Sequence, residues 1–211
     1  MDINSNRWNR WRYSLYTPIY DVVGNVFRHA RQGSIAQLDL QAGNHVLIVG
    51  AGTGLDLEFI PEGVQVTATD LTPSMVRRIQ KREHNNVTAL VMDGHALEFP
   101  DNHFDAVVLH LILAVIPDPE KCLQEAARVL KPEGHITIFD KFLPVGKRIS
   151  LRRKVANWVT RVLFSELNRQ LEPLVASVLG LRIVRDEVDE RFVIFRTVLL
   201  EKTVLLEKED M

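Results

Sequence analysis

A chain of 211 residues, 46% hydrophobic and 25% charged, has the make-up of one enzyme-sized domain able to bury a full core. Its lone cysteine, Cys122, excludes an internal disulfide or a cysteine metal cluster and points to a reducing, cytoplasmic compartment. A net charge of −1 lacks the basic footprint of a nucleic-acid binder, and the longest strongly apolar run, residues 106–116, is too short to span a bilayer.

Residues 6–16 and 18–31 carry helical patterning, with Gly33 ending the second helix. Arg7, Arg10 and Arg12 lie among Trp8, Trp11 and Tyr13, and no apolar stretch follows, so no secretory signal is expected. Val46–Val49 reads as the first strand, a glycine turn and a helix to about Phe59 come next, and Val64–Thr69 is the second strand. Thr72 caps a helix that opens on Pro73 and runs to about Lys81. Val87–Val91 and Phe104–Leu109 are strands three and four, the latter apolar throughout, as in a strand covered on both faces. Asp118 and Pro119 begin a helix with Leu123, Ala126, Ala127 and Leu130 on its inner side. Residues 131–134 form a turn before the fifth strand, His135–Asp140. A long helix over about 150–179 stops at Gly180, and strands at 181–188 and 192–202 follow, with a turn at Asp189 and Glu190. This alternation predicts an α/β fold with a mostly parallel sheet, helices on both faces and an antiparallel excursion at the end.

The segment from Val46 to Gly54, with Asp70 closing the next apolar run, has the layout of a nucleotide-type site at a strand end. A dinucleotide turn needs G-x-G-x-x-G so that pyrophosphate reaches the backbone and the helix N-terminus. Here Gly50, Gly52 and Gly54 give G-x-G-x-G, with Leu55 at the third dinucleotide position. S-adenosyl-L-methionine has no phosphate, so glycines at these positions suit its amino-acid portion, and Asp70 suits its ribose hydroxyls. A strand–helix turn with glycines for geometry alone remains the plainer reading.

The segments Gly50-Ala-Gly-Thr-Gly54, Asp70, Met92-Asp93-Gly94-His95, Phe104-Asp105 and Arg128-Val-Leu-Lys-Pro-Glu-Gly134 together resemble class I S-adenosylmethionine-dependent methyltransferases over about residues 16–140. The resemblance implies a Rossmann-like seven-stranded sheet of order 3-2-1-4-5-7-6, with strand seven antiparallel. It implies that Gly50, Ala51, Gly52 and Gly54 line the cofactor turn and that Asp70 holds the ribose. Leu71 and Met75 would flank ribose and adenine, and Asp93 would accept from the adenine amino group beside Gly94 and His95. Within the family the chain is most similar to the group of phosphatidylethanolamine N-methyltransferases and ubiquinone/menaquinone methyltransferases. Tyr16-Thr-Pro-Ile-Tyr20-Asp21 resembles their Y-x-x-x-Y-D entry, and residues 111–119 look more like the phospholipid enzymes. Two departures stand out. Ile48 replaces the acid usual two residues before the first glycine, and strand five ends Phe139-Asp140-Lys141-Phe142 instead of the E-x-S of the quinone enzymes.

Methyl transfer from a sulfonium asks mainly for in-line positioning of the nucleophile. An amine need only be unprotonated, a thiol must become thiolate, and a carbon acid needs a base. The sequence offers no compelling base, which favours an amine or thiol. His110, after strand four, is the leading catalytic candidate, as acceptor orienter or proton remover; a core histidine satisfied by backbone is the alternative. Tyr16 and Tyr20 can form an aromatic wall near the sulfonium, or simply pack helices. Asp140 can hold an ammonium or act in a turn. The remaining histidines show no metal-ligand spacing, so no metal is expected.

Charge is uneven along the chain. Residues 44–140 hold fourteen acids against seven Lys/Arg, whereas residues 141–161 hold seven Lys/Arg and no acid. In residues 148–165, Leu151, Val155, Trp158, Val159 and Val162 share one helical face, with Arg148, Arg152 and Arg161 elsewhere. Such a helix can lie on an anionic membrane or pack on the sheet with a basic outer face. The expected organisation is a single domain: a helical lid at 1–33, a cofactor core at 34–140, a basic helical segment at 141–180 and closing strands at 181–211. The expected activity is methyl transfer to a lipophilic or membrane-borne acceptor such as a phospholipid amine, with peripheral contact at the inner membrane face. A soluble methyltransferase for a small amine, thiol or hydroxyl compound, and a non-catalytic cofactor-binding module, are the alternatives. Oligomeric state is left open.

Overall fold

Four successive apolar residues leave strand β1 (His45–Val49) no polar face, and it is buried at the centre of the sheet. The computed structural model describes residues 25–82, 85–143, 169–189 and 194–204. After a 3-10 turn at Asn25–Phe27 come α1 (Arg28–Ala36), β1, a 3-10 turn at Leu57–Phe59, β2 (Gln65–Asp70) and α2 (Pro73–Gln80). Then follow β3 (Val87–Val91), β4 (Phe104–His110), α3 (Pro119–Val129), β5 (Leu130–Lys141), α4 (Leu171–Ala176), β6 (Leu181–Val188) and β7 (Phe195–Lys202).

The seven strands stand in the order β3-β2-β1-β4-β5-β7-β6, as the resemblance implies. The first five are parallel, and β7 runs antiparallel to both β5 and β6. Side chains alternate between the two faces. Leu47 and Val49 join Leu109, Leu123 and Ile138 in one core layer, covered by α3 and α4. Val46 and Ile48 join Ala68, Val76, Ile79 and Leu57 in the other, beside α1 and α2. Ile48 is therefore an ordinary core residue, 1% exposed.

Four local expectations are corrected. Helix α1 does not stop at Gly33 but continues to Ala36, because Ser34 and Ile35 are buried against the sheet and packing outweighs glycine's poor helix propensity. The chain after the glycine turn makes a short 3-10 turn in place of a helix, and Pro61 follows at once. The predicted helix over 150–179 is broken where it can be seen: Gln170 is extended, and α4 begins only at Leu171. In a continuous helix the Pro173 ring would meet the carbonyl of Arg169, four residues back. The remainder of that helix lies outside the described residues.

The fourth concerns residues 131–134, expected as a turn ahead of β5. Strand pairing already starts at Leu130, opposite Phe104, and resumes at His135, opposite Ala106. Four residues bulge out in between, with Glu133 left-handed at φ 63°. Elsewhere Asp118 caps α3 by accepting from the Lys121 amide at 3.0 Å, with Pro119 at the first helical position.

Candidate active site

The glycine turn follows directly from β1, and Gly50, Gly52 and Gly54 adopt φ values of 70°, 57° and 83°. These left-handed conformations are ones that L side chains rarely take. At Gly50 a Cβ would also lie 2.4 Å from Ile112 Cδ1, so the turn and the loop after β4 touch without room for a methyl group.

Asp70 ends β2 beside this turn. One carboxylate oxygen accepts from the Gly52 amide at 2.9 Å and the other from the Thr72 amide at 2.8 Å. Thr72 is the cap residue of α2 by position, but its side chain makes no capping bond, and Asp70 secures its amide instead. Burial pushes the Asp70 carboxyl above its ordinary value, and the two amides offset part of that. A part-buried carboxylate keeps lone pairs for further donors. It fits a ligand that brings hydroxyl groups.

After β3, Asp93 accepts from the His95 amide at 3.0 Å and contacts its Nδ1 at 2.7 Å. The Asp118 amide donates to His95 Nε2 at 3.2 Å, so the hydrogen sits on Nδ1 and points at Asp93. His95 thereby orients Asp93.

Between these elements lies an open cleft. Gly50, Gly52, Asp70, Leu71, Met75, Asp93 and Gly94 line it, whereas Ala51, Gly54 and His95 are not part of the lining. The sequence reading missed its far wall, the loop of Leu111, Ile112, Val115, Ile116 and Pro117. The signal available was apolar side chains directly after a buried parallel strand, where loops open onto sites. Leu111 is left-handed at φ 57°, which turns the chain across the cleft. Asp140, fully buried at the end of β5, accepts from the Ala114 amide at 2.9 Å and from the Lys141 amide at 2.8 Å. Arg169 donates to the Ile116 carbonyl at 2.5 Å. The wall is thus braced from two directions.

The structure places His110 away from the cleft lining. Its side chain is 1% exposed, and its two ring nitrogens meet Asp56 Oδ1 at 2.8 Å and Ser34 Oγ at 2.9 Å. Tyr16 and Tyr20 lie outside the described residues, as does the basic stretch 147–161. Among the described residues no group of three His, Cys, Asp or Glu side chains could hold a metal ion. None of the helices described is long and apolar enough to cross a membrane.

Comparison with known proteins fits this geometry. A family model described as "Methyltransferase domain" matches residues 47–138, which span the glycine turn, Asp70, Asp93 and the apolar wall. Phosphatidylethanolamine N-methyltransferase of Cereibacter sphaeroides is 33% identical over 148 residues, covering 67% of this chain and 70% of that protein. Demethylmenaquinone methyltransferase of Paenarthrobacter aurescens is 34% identical over 134 residues, and the match spans 61% of this chain and only 53% of that protein. Among solved structures, the [4+2]-cyclase SpnF superimposes with a TM-score of 0.79 at 17% identity, covering 95% of this chain and 97% of its own. A SAM-dependent methyltransferase from Aquifex aeolicus gives 0.59 at 23% identity, covering 82% and 89%. These two likenesses concern the fold. The glycine turn with its paired acid, the sheet order and the sequence kinship lead to one assignment: the chain belongs to the class I methyltransferase family and uses S-adenosylmethionine as methyl donor.

Proposed function

We propose that this methyltransferase acts on the amine of a lipophilic, membrane-borne acceptor, of the class that phospholipid amines represent. The observation that carries the reading is the make-up of the cleft. Among the described side chains lining it, only Asp70 and Asp93 ionise, and the wall from Leu111 to Pro117 is apolar. Among the described lining residues none is a base of the kind a carbon acid demands, whereas a neutral amine brings its own lone pair. The kinship with a phosphatidylethanolamine N-methyltransferase supports the same class.

The donor supplies a methyl group on a sulfonium, which is already a good leaving group. The chain's part is to bind, orient and exclude water. In this reading Gly50, Ala51, Gly52 and Gly54 pass the backbone along the amino-acid portion, and Asp70 accepts from the ribose hydroxyls. Leu71 and Met75 flank the base, and Asp93 accepts from its amino group beside Gly94 and His95. Tyr16 and Tyr20 close the pocket from the N-terminal segment, and residues 141–161 bring the protein to an anionic surface. Holding an amine at about 3–3.5 Å from the methyl carbon supplies the main part of the rate.

Methyl-labelled S-adenosylmethionine offered with phosphatidylethanolamine vesicles, and separately with soluble ethanolamine, tests the reading. Label extracted with the lipid is expected. Label confined to the soluble amine would move the assignment to a small-molecule enzyme. No transfer to either, from protein that binds S-adenosylhomocysteine, would leave a cofactor-binding module.

A further inference from the structure

Five buried polar side chains from four segments form one chain of hydrogen bonds. Arg31 of α1 donates through a single Nη1 to both oxygens of Asp56, each at 2.8 Å. Asp56 lies two residues beyond Gly54. It also meets His110 Nδ1 at 2.8 Å, and His110 Nε2 meets Ser34 Oγ at 2.9 Å. Thr137 Oγ1 of β5 lies 2.6 Å from Ser34 Oγ and 3.1 Å from the Ser34 carbonyl, and its single hydroxyl hydrogen is shared between these two acceptors. An ionised carboxylate only accepts, so His110 carries its hydrogen on Nδ1; in the neutral ring Nε2 then accepts the Ser34 hydroxyl.

Serine, histidine and aspartate in this order suggest a nucleophile with its base. Burial argues against it: Ser34 is fully enclosed and bonded onward to Thr137. The arrangement holds parts together. Asp56 fixes the chain leaving the glycine turn. His110 is the residue before Leu111 and Ile112, and Ile112 presses on Gly50 so closely that a Cβ there would overlap it. The His110–Asp56 bond therefore ties together the two lips of the cleft, while Arg31 and Ser34 lock α1 onto the same point.

We propose that His110 is a positioning residue for donor binding: through Asp56 and Ser34 it sets the spacing between the glycine turn and the Leu111–Ile112 wall, and makes that spacing depend on α1 staying docked. This rests on the donor occupying the cleft. The Asp56 bond is charge-assisted, and losing such a bond commonly costs about 1.5–3 kcal/mol, or about 10- to 150-fold in affinity where the loss falls on the bound state.

The test is calorimetric binding of S-adenosylhomocysteine to the wild-type protein and to His110→Leu, His110→Gln and Ser34→Ala. Thermal melting and amide exchange of residues 28–36 are followed in parallel. Leucine removes both bonds, whereas glutamine can still donate to Asp56 and accept from Ser34. The expected outcome is at least about tenfold weaker binding for His110→Leu, recovered to within about threefold by His110→Gln. Ligand should slow exchange in α1 of the wild type and of His110→Gln, but not of His110→Leu. If His110→Leu does not fold, Ser34→Ala serves, with a few-fold loss of affinity and a weakened effect on α1. A folded His110→Leu that binds like the wild type, or a His110→Gln that falls equally far, overturns the proposal. Failure of the wild type to bind at all would instead overturn the placement of the donor, and this inference with it.

Discussion

The Asp70 carboxylate accepts a hydrogen bond from the Gly52 amide at 2.9 Å, so the acid that ends β2 and the turn after β1 are one bonded unit. Replacing Asp70 with alanine removes a ligand-facing acceptor and also leaves the Gly52 and Thr72 amides without their partner. S-adenosylhomocysteine affinity should fall about 10- to 100-fold, on the scale of charge-assisted hydrogen bonds. Because burial raises the Asp70 pKa, wild-type affinity should begin to fall on acidification above the ordinary carboxyl value of 3.8. Calorimetry across pH checks both, and an affinity that ignores Asp70→Ala would remove the carboxylate from the site.

Asp56 behaves in the opposite sense. Burial favours its neutral form, but the electrostatic and hydrogen-bond contacts with His110 and the Arg31 guanidinium outweigh that and hold its carboxyl well below the usual range. A depressed folded-state pKa stabilises the fold above the unfolded value of 3.8, and the contribution is lost as pH falls towards the folded one. Asp56→Ala removes the carboxylate that Arg31 and His110 share in a buried site, where the Arg31 side chain is 4% exposed, and should cost about 1.5–3 kcal/mol near neutrality. Urea unfolding at pH 7 and at pH 3 should show the gap between wild type and variant narrowing at the lower pH.

Cys122 should be inert in the native protein. It is fully buried, and burial, with nearby Asp93, pushes its thiol up to about 12. Almost no thiolate exists at pH 8, so a thiol reagent should modify it only as fast as the fold opens. Labelling at the native-state rate of an exposed cysteine would contradict this placement.

The basic segment makes a prediction at the membrane. Vesicles rich in anionic lipid should carry the protein upward in a flotation gradient, and zwitterionic vesicles should not. Changing Arg148, Arg152 and Arg153 together to glutamine should weaken that binding, at about 1 kcal/mol for each charge near the surface, and added salt should do the same. Unchanged flotation of the triple variant would confine the segment to packing on the domain.

Much of the fold was legible because its signals are local. Strand β3 was bounded correctly from its residues alone, and Asp118 with Pro119 announced the start of α3. Asp70 was legible as a lone acid closing an apolar run. The network around His110 was not, because its partners lie 25 to 103 residues apart and no periodicity marks them. The same distance effect explains α1: Gly33 reads as a stop until Ser34 and Ile35 are seen buried against the sheet. The break at Gln170 is legible too, since Pro173 stands inside the run whose pattern predicts one helix.

The placement of β7 between β5 and β6 bears on how this protein is made. It supplies the antiparallel partner of β5 from His135 to Lys141 and, among the described strands, the only partner that β6 has in the sheet. During synthesis both must wait, edges bare, until residue 202 has cleared the ribosome, so the sheet is completed late, when an interior slat is slid into place. A nascent chain stalled before that point would leave one edge of β5 bare and β6 unpaired, a ready target for a chaperone.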